Sequence, residues 1–227
     1  MTDKTINSLC IVANSLLYPG YLNEMKKADY LIAADAASLW LIRHGLTPNL
    51  AIGDFDSVNS EDLNLLKKRI PDTRLFPASK DYTDLHLAVK EALNINPQNV
   101  IIFGATGNRL DHFLGNVSFL ELFLKKNIPA KIVDRNNEIY MCNSGIKLEK
   151  SSRFPYLSII PYSSEAVVSI RGVLYEIKNK KIKKGQTIGI SNEITERSCR
   201  ISVNKGTVII VRSSDSRLRS GDKEVEK

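Results

Sequence analysis

The chain has 227 residues, 43% of them hydrophobic and 25% charged, which suits one large domain or two modest ones and excludes a disordered or fibrous chain. Cys10, Cys142 and Cys199 stand far apart with no C-x-x-C between them, so neither a disulfide framework nor a cysteine zinc site has support, and a reducing, cytoplasmic setting is expected. The formal charge of +7 lies in the second half: residues 1–145 hold 15 Lys/Arg against 16 Asp/Glu, while residues 146–211 hold 12 against 5.

LCIVANSLL (9–17) has the length of a signal core. The preceding MTDKTINS carries no net positive charge, however, and YPGYLNE has no small-residue cleavage pattern, so LCIVA (9–13) reads as a first buried strand. YLIAAD (30–35), LAIGD (50–54) and VIIFGA (100–105) are further short apolar runs ending near Gly or Asp. Helical patterns alternate with them. AASLWLIRHG (36–45) ends on a glycine, and SEDLNLLKKRI (60–70) opens acidic and closes basic, as the helix dipole favours. TDLHLAVKEALN (83–94) and LDHFLGNVSFLELFLKKN (110–127) follow. This alternation predicts a mostly parallel α/β/α sandwich, in which ligands bind beyond the carboxyl ends of the strands.

Past NSG (143–145) the pattern changes. YLSIIPY (156–162), AVVSIRG (166–172), VLYEIKNKK (173–181), QTIGISN (186–192), CRISVNKG (199–206) and TVIIVRS (207–213) are short, β-branched and broken by Gly, Asn or charge. They predict a small antiparallel β-sandwich or barrel. The expected organisation is an α/β domain over 1–143, a β domain over 144–213 and a polar tail over 214–227. No apolar run is long enough to span a membrane. The lysines of KNKKIKKG (178–185) have no interleaved aromatics, so they read as a solvated basic face, with no nucleic-acid or membrane partner expected.

Polar groups gather at the ends of the first-half strands. Asp35 follows YLIAA. Asp54, Asp56 and Ser57 follow LAIG. SKDYTD supplies Lys80, Asp81, Thr83 and Asp84, and GATGNRLDH supplies Gly104, Thr106, Gly107, Arg109, Asp111 and His112. Each set alone has an ordinary explanation as a helix cap or a turn. Together, four carboxylates at 54, 56, 81 and 84 on one rim would repel unless a cation sat among them, and Mg²⁺ is commonly held by one or two carboxylates plus substrate phosphates. Lys80 and Arg109 suit phosphate oxygens, and the GATGN turn offers backbone N–H groups ahead of a helix. The chain has no P-loop, no G-x-G-x-x-G and no kinase H-R-D or D-F-G set. Two residues apart at a strand end, Asp54 and Asp56 would face the same way, with Phe55 turned into the protein.

The series AADAAS, TPNLAIGDFDSV, SKDYTDLHLAV, GATGNRLDH, NEIYM, LSIIPY, GVLYEI and GISNE, spread over roughly residues 30–211, resembles the thiamine pyrophosphokinase (thiamine diphosphokinase) family. The resemblance implies an α/β ATP-binding domain and a C-terminal β-sandwich domain in a homodimer. It also implies transfer of the β,γ-pyrophosphoryl group of ATP to the hydroxyl of thiamine, releasing AMP, at a Mg²⁺-dependent site between one subunit's α/β domain and the other's β domain. By residue, Asp54, Asp56, Asp81 and Asp84 resemble the acidic metal and substrate set, and Asp111 the acid near the thiamine hydroxyl. Asp35, Ser57, Lys80, Thr83, Gly104, Thr106, Gly107, Arg109 and His112 resemble the ATP contacts. Ser191 and Asn192, with Asp84 and Asp111, resemble the thiamine contacts. Ala36-Ala37 stand where the family often has Gly-Gly, Asn108 replaces a second glycine, and no tryptophan follows GISNE.

Overall fold

The computed structural model describes residues 5–77, 79 and 81–215; Lys80 and most of the expected polar tail lie outside them. Strands β1 (Ser8–Val12), β2 (Tyr30–Ala34), β3 (Leu50–Gly53), β4 (Asp72–Leu75), β5 (Asn99–Phe103) and β6 (Ala130–Val133) pair in parallel in the order β6-β5-β1-β2-β3-β4. Helices α1 (Leu22–Lys26), α2 (Ala37–Arg43), α3 (Ser60–Arg69), α4 (Asp84–Ile95) and α5 (Leu110–Lys125) make the crossovers. Strand alternation sends Leu9, Ile11, Ile32 and Ile52 toward α4 and α5, and Cys10, Val12, Leu31 and Ala33 toward α1 and α2. The result is the three-layered α/β/α arrangement expected from the alternating pattern.

Local chemistry sets the helix limits. The Asn59 side chain caps α3 by accepting from the Asp62 N–H at 2.9 Å, and Lys67, Lys68 and Arg69 occupy its last turn. Thr83 caps α4 by accepting from the His86 N–H at 3.2 Å. Gly45, with a φ of +74°, follows α2. Ala36 and Ala37 adopt helical geometry at the start of α2, and Ala37 is fully buried. Trp40 packs on His44 and belongs to the core on the α1/α2 side.

The second half extends the same sheet. β7 (Asn137–Cys142) turns antiparallel to β6, and β14 (Val208–Ser213), β9 (Tyr156–Pro161) and β12 (Asn192–Glu193) continue outward, giving ten strands in the order β12-β9-β14-β7-β6-β5-β1-β2-β3-β4. A second, four-stranded antiparallel sheet runs β11 (Ile177–Lys183), β10 (Glu165–Arg171), β13 (Ser198–Lys205), β8 (Gly145–Glu149). Leu148, Val168, Ile170 and Ile201 from it pack on Leu157, Ile159, Val208 and Ile210 of the large sheet. This is the antiparallel sandwich expected. Residue 143 lies in the turn between β7 and β8, and the large sheet passes through without a break.

A buried polar group ties the halves together. Glu138 of β7 accepts from Arg212 of β14 at 3.0 Å and from Lys131 of β6 at 2.9 Å, so the charge of each is compensated. One expected strand is absent: QTIGISN forms a loop that reaches β12 only at Asn192. Gly189 packs so closely on β9 that a Cβ would lie 2.5 Å from the Ile159 carbonyl oxygen, and Ser191 takes a left-handed φ of +57°.

Candidate active site

The strand order reverses between β1 and β5, and beyond their carboxyl ends lies a cavity of about 500 Å³, the position where open α/β sheets bind ligands. Asp35, Thr83, Asp84, Gly104, Thr106, Gly107, Arg109 and His112 all line it. Close backbone approach requires glycine at 104, and a φ of +149° favours it at 107. At Gly104, with a φ of +65°, a Cβ would lie 2.2 Å from the Ala13 carbonyl oxygen. At Gly107 it would lie 2.1 Å from the Ser15 hydroxyl. Asn116 holds the turn by donating to the Ala105 carbonyl at 2.8 Å. Asn14, Ser15 and Asn116 also line the cavity. Sequence reading missed them, and the one available signal was a polar Asn-Ser pair directly after the first apolar run.

Asp35, Asp54 and Asp56 converge, each offering a carboxylate oxygen within 4.8 Å of the others. Asp35 is 9% exposed and has a φ of +53°. Its Oδ2 accepts from the Ser57 hydroxyl at 3.1 Å and from Asn14 Nδ2 at 3.3 Å. Its Oδ1 is buried and has no hydrogen-bond partner among the described residues. Gly53 makes room for it: a Cβ there would lie 3.1 Å from the Asp35 N and Cα atoms. Asp54 and Asp56 do share one side, and Phe55 is buried between them. The cause is a turn rather than strand alternation. β3 ends at Gly53, Phe55 takes a left-handed φ of +55°, and the Asp56 N–H donates to Asp54 Oδ1 at 3.3 Å.

Other expected residues stand differently. Asp81 is exposed, and neither it nor Asp84 belongs to the three-carboxylate cluster. Arg109 and Asp111 pair with each other at 2.6 Å on the exposed start of α5. The hydrogen bond from Arg109 holds the Asp111 carboxyl down to about 2. Asn192 opens β12 and Ser191 directly precedes it, five strand-to-strand steps from β5, or roughly 24 Å at the usual spacing of about 4.8 Å. The Asn192 side chain is buried and engaged with Tyr175, accepting from its N–H at 3.0 Å and donating to its carbonyl at 2.9 Å. Beside it Leu174, Tyr175, Ile188 and Ile190 are exposed, Tyr175 by 67%.

A parallel sheet with a glycine-lined cavity at its switch point and hard oxygen ligands beside it has the layout of a nucleotide-using α/β enzyme. Comparison with known proteins narrows that class. Residues 21–132 match the family model described as thiamin pyrophosphokinase, catalytic domain, and residues 143–208 match thiamin pyrophosphokinase, vitamin B1 binding domain. Thiamine pyrophosphokinase of Bacillus subtilis is 36% identical over 216 residues, covering 93% of this chain and all of that protein. A crystal structure of the B. subtilis protein superposes with a TM-score of 0.86 at 34% identity, covering 92% of this chain and all of that one. The Geobacillus thermodenitrificans structure does so with a TM-score of 0.81 at 32% identity, covering 92% and 98%. Thiamin pyrophosphokinase 1 of Caenorhabditis elegans is 28% identical over 190 residues, 76% of this chain and 74% of that protein. The chain belongs to the thiamine pyrophosphokinase family.

Proposed function

We propose that the protein transfers the β,γ-pyrophosphoryl group of ATP to the primary hydroxyl of thiamine, giving thiamine diphosphate and AMP. The observation that carries this reading is the convergence of Asp35, Asp54 and Asp56 beside the glycine-lined cavity. These three residues would hold Mg²⁺: the donors are all hard oxygens, and the buried Asp35 Oδ1 has no hydrogen-bond partner among the described residues. When bound, the ion neutralises charge on the phosphate oxygens. Asp81 and Asp84, outside that trio, are assigned to the substrates.

The N–H groups of the 104–108 turn cradle the phosphates, and Arg109 swings from Asp111 to a phosphate oxygen. The thiamine hydroxyl oxygen bonds to the β-phosphorus, the bond from that phosphorus to the oxygen bridging it to the α-phosphate breaks, and AMP leaves with the electron pair. Asp84 takes the hydroxyl proton. Asp111, held near 2 by Arg109 in the resting pair, becomes a second acceptor once Arg109 turns to the phosphate. In this reading the α/β half, 1–143, serves ATP and the β half, 144–213, serves thiamine. Because Ser191 and Asn192 lie far from the rim of their own chain, the thiamine side comes from a second subunit of a homodimer. The three buried, unpaired cysteines suit a cytoplasmic setting.

Incubation with ATP, Mg²⁺ and thiamine should yield AMP and thiamine diphosphate in equal amounts. ADP with thiamine monophosphate would refute pyrophosphoryl transfer, and an unchanged thiamine pool with folded protein would refute the acceptor.

A further inference from the structure

The outer face of the four-stranded sheet, turned away from the core, carries a second cavity of about 290 Å³. Strand register places Lys147, Arg200 and Arg171 directly opposite one another across β8, β13 and β10. Like charges facing each other across strands destabilise a sheet unless something offsets them. Three lysines of this sheet have their offset: Lys147 pairs with Glu149 at 3.0 Å, and Lys181 and Lys205 share Glu165 at 3.4 and 2.8 Å. Arg171, Arg200 and Lys178 line the cavity, and none has a carboxylate partner within 4 Å among the described residues.

The cavity floor is built rather than incidental. The β10–β11 pairing slips between Val168 and Ile170, so that Lys178 and Asn179 both oppose Ser169. The β10–β13 pairing slips between Val167 and Val168, setting Asn204 out of the ladder. Such bulges re-aim side chains. Here they bring Asn179, at a φ of +47°, and Asn204 together over Ser169. Asn204 Nδ2 donates to Asn179 Oδ1 at 2.6 Å, the Ser169 hydroxyl donates to the same oxygen at 3.3 Å, and the Asn179 N–H donates to the Ser169 hydroxyl at 2.9 Å. With its oxygen taken twice, the Asn179 carboxamide has only N–H donors left for a ligand.

We propose that Arg171, Arg200 and Lys178, over the floor of Ser169, Asn179 and Asn204, form a binding site for a small phosphate-type oxyanion. Uncompensated guanidinium forks, an ammonium and amide donors match phosphate oxygens. The lining has no aromatic residue on which a base could stack, which favours a compact diphosphate-like group over nucleic acid.

The test is calorimetric titration of inorganic diphosphate into the full-length protein without Mg²⁺. Saturable binding that weakens with salt is expected. It should fall at least about tenfold in Arg171→Gln/Arg200→Gln, whose exposed side chains leave the core intact, and persist in Arg109→Ala. Asn179→Gly, which keeps the left-handed backbone and removes the carboxamide, should weaken it severalfold while the charges remain. Absence of binding, equal affinity in the double arginine variant, or loss through Arg109→Ala would overturn the proposal. So would no change in Asn179→Gly, which would mark a merely basic surface, or binding restricted to oligonucleotides and tightening with their length.

Discussion

Replacement of Asp54 by Asn tests whether the carboxylates gather for a cation or for the fold. The three carboxylate oxygens lie within 4.8 Å, a separation at which two unit charges repel by about 0.9 kcal/mol in water and about 3.5 kcal/mol at an effective dielectric of about 20. Asp56 is exposed, so its pair with Asp54 sits near the first figure, while the nearly buried Asp35 lies between the two. Removing the charge of Asp54 therefore relieves roughly 2–4 kcal/mol of repulsion in the metal-free protein. Against this stands the hydrogen bond from the Asp56 N–H, which weakens by about 1–2 kcal/mol when its acceptor loses its charge. The net expectation without Mg²⁺ is a change between about zero and a stabilisation of about 3 kcal/mol, or a melting temperature higher by up to roughly 12 °C for a chain of this size.

Thermal unfolding followed by circular dichroism, in chelator and in saturating Mg²⁺, reads both sides of this balance. In the wild type, Mg²⁺ at about a hundred times its dissociation constant should add about 2.7 kcal/mol. In Asp54→Asn that increment should nearly vanish, together with turnover. A fall of several degrees in chelator would mean that Asp54 supports the fold. An undiminished Mg²⁺ increment with near-normal turnover would remove Asp54 from the metal site.

Gly104→Ala should lose roughly 2–5 kcal/mol in denaturant unfolding, since it combines left-handed strain with overpacking against the Ala13 carbonyl oxygen; a loss under about 1 kcal/mol would mean the loop relaxes freely. In Arg109→Ala the Asp111 carboxyl should titrate nearer its ordinary 3.8 than its present value of about 2, as carbon-detected NMR would show. The sign follows from linkage. The pair favours the folded state fully above 3.8, and that contribution fades as pH falls toward about 2, so the variant's acid unfolding should depend less steeply on pH there; an unmoved titration would dissolve the pair. Mixed Asp54→Asn and Asn192→Ala subunits, each nearly inactive alone, should regain up to about a quarter of wild-type turnover, because half of randomly assorted dimers are mixed and each holds one intact site. No recovery after subunit exchange would argue for sites contained in single chains.

The fold was legible wherever burial was complete. β1, β2, β3 and β5 lie in a sheet covered on both faces, so each reads as an apolar run, and Thr83 and Gly45 mark helix limits with ordinary capping chemistry. β4 was not legible because Asp-Thr-Arg-Leu is an edge strand of half-exposed residues; its Arg74 instead pairs with Asp72 at 2.7 Å and Glu91 at 2.9 Å. QTIGISN misleads for the opposite reason. Ile188 and Ile190 alternate like strand residues, yet they are 60% and 44% exposed in a loop whose path is set by Gly189. Within the site, the shared orientation of Asp54 and Asp56 was legible, but its mechanism, a left-handed Phe55, was not. The joining of Asp35 to them depends on the β2–β3 register, which pairs Ala34 with Ile52, and on the missing side chain of Gly53. No single segment contains that information.

The continuity of the large sheet bears on how substrates can meet. A hinge between the halves would need a weakly bonded seam, and the junction of β6, β7 and β14 offers none. β14 pairs along its whole length with β7, from Val208 opposite Cys142 to Ser213 opposite Asn137, and Glu138 binds both Lys131 and Arg212 in a setting where Arg212 is only 7% exposed. Separating such a pair would strand buried charge at a cost of about 3–5 kcal/mol. The roughly 24 Å between β5 and β12 is thus a fixed span of a stiff sheet, too long for side chains on both strands to grip one hydroxyl and one phosphorus. Exposed Leu174, Tyr175, Ile188 and Ile190 beside Asn192 are the surface that a second copy would cover. On the proposed reading, rigidity within the chain and incompleteness at its β12 edge would have each active site take its phosphate rim from one subunit and its thiamine contacts from the other.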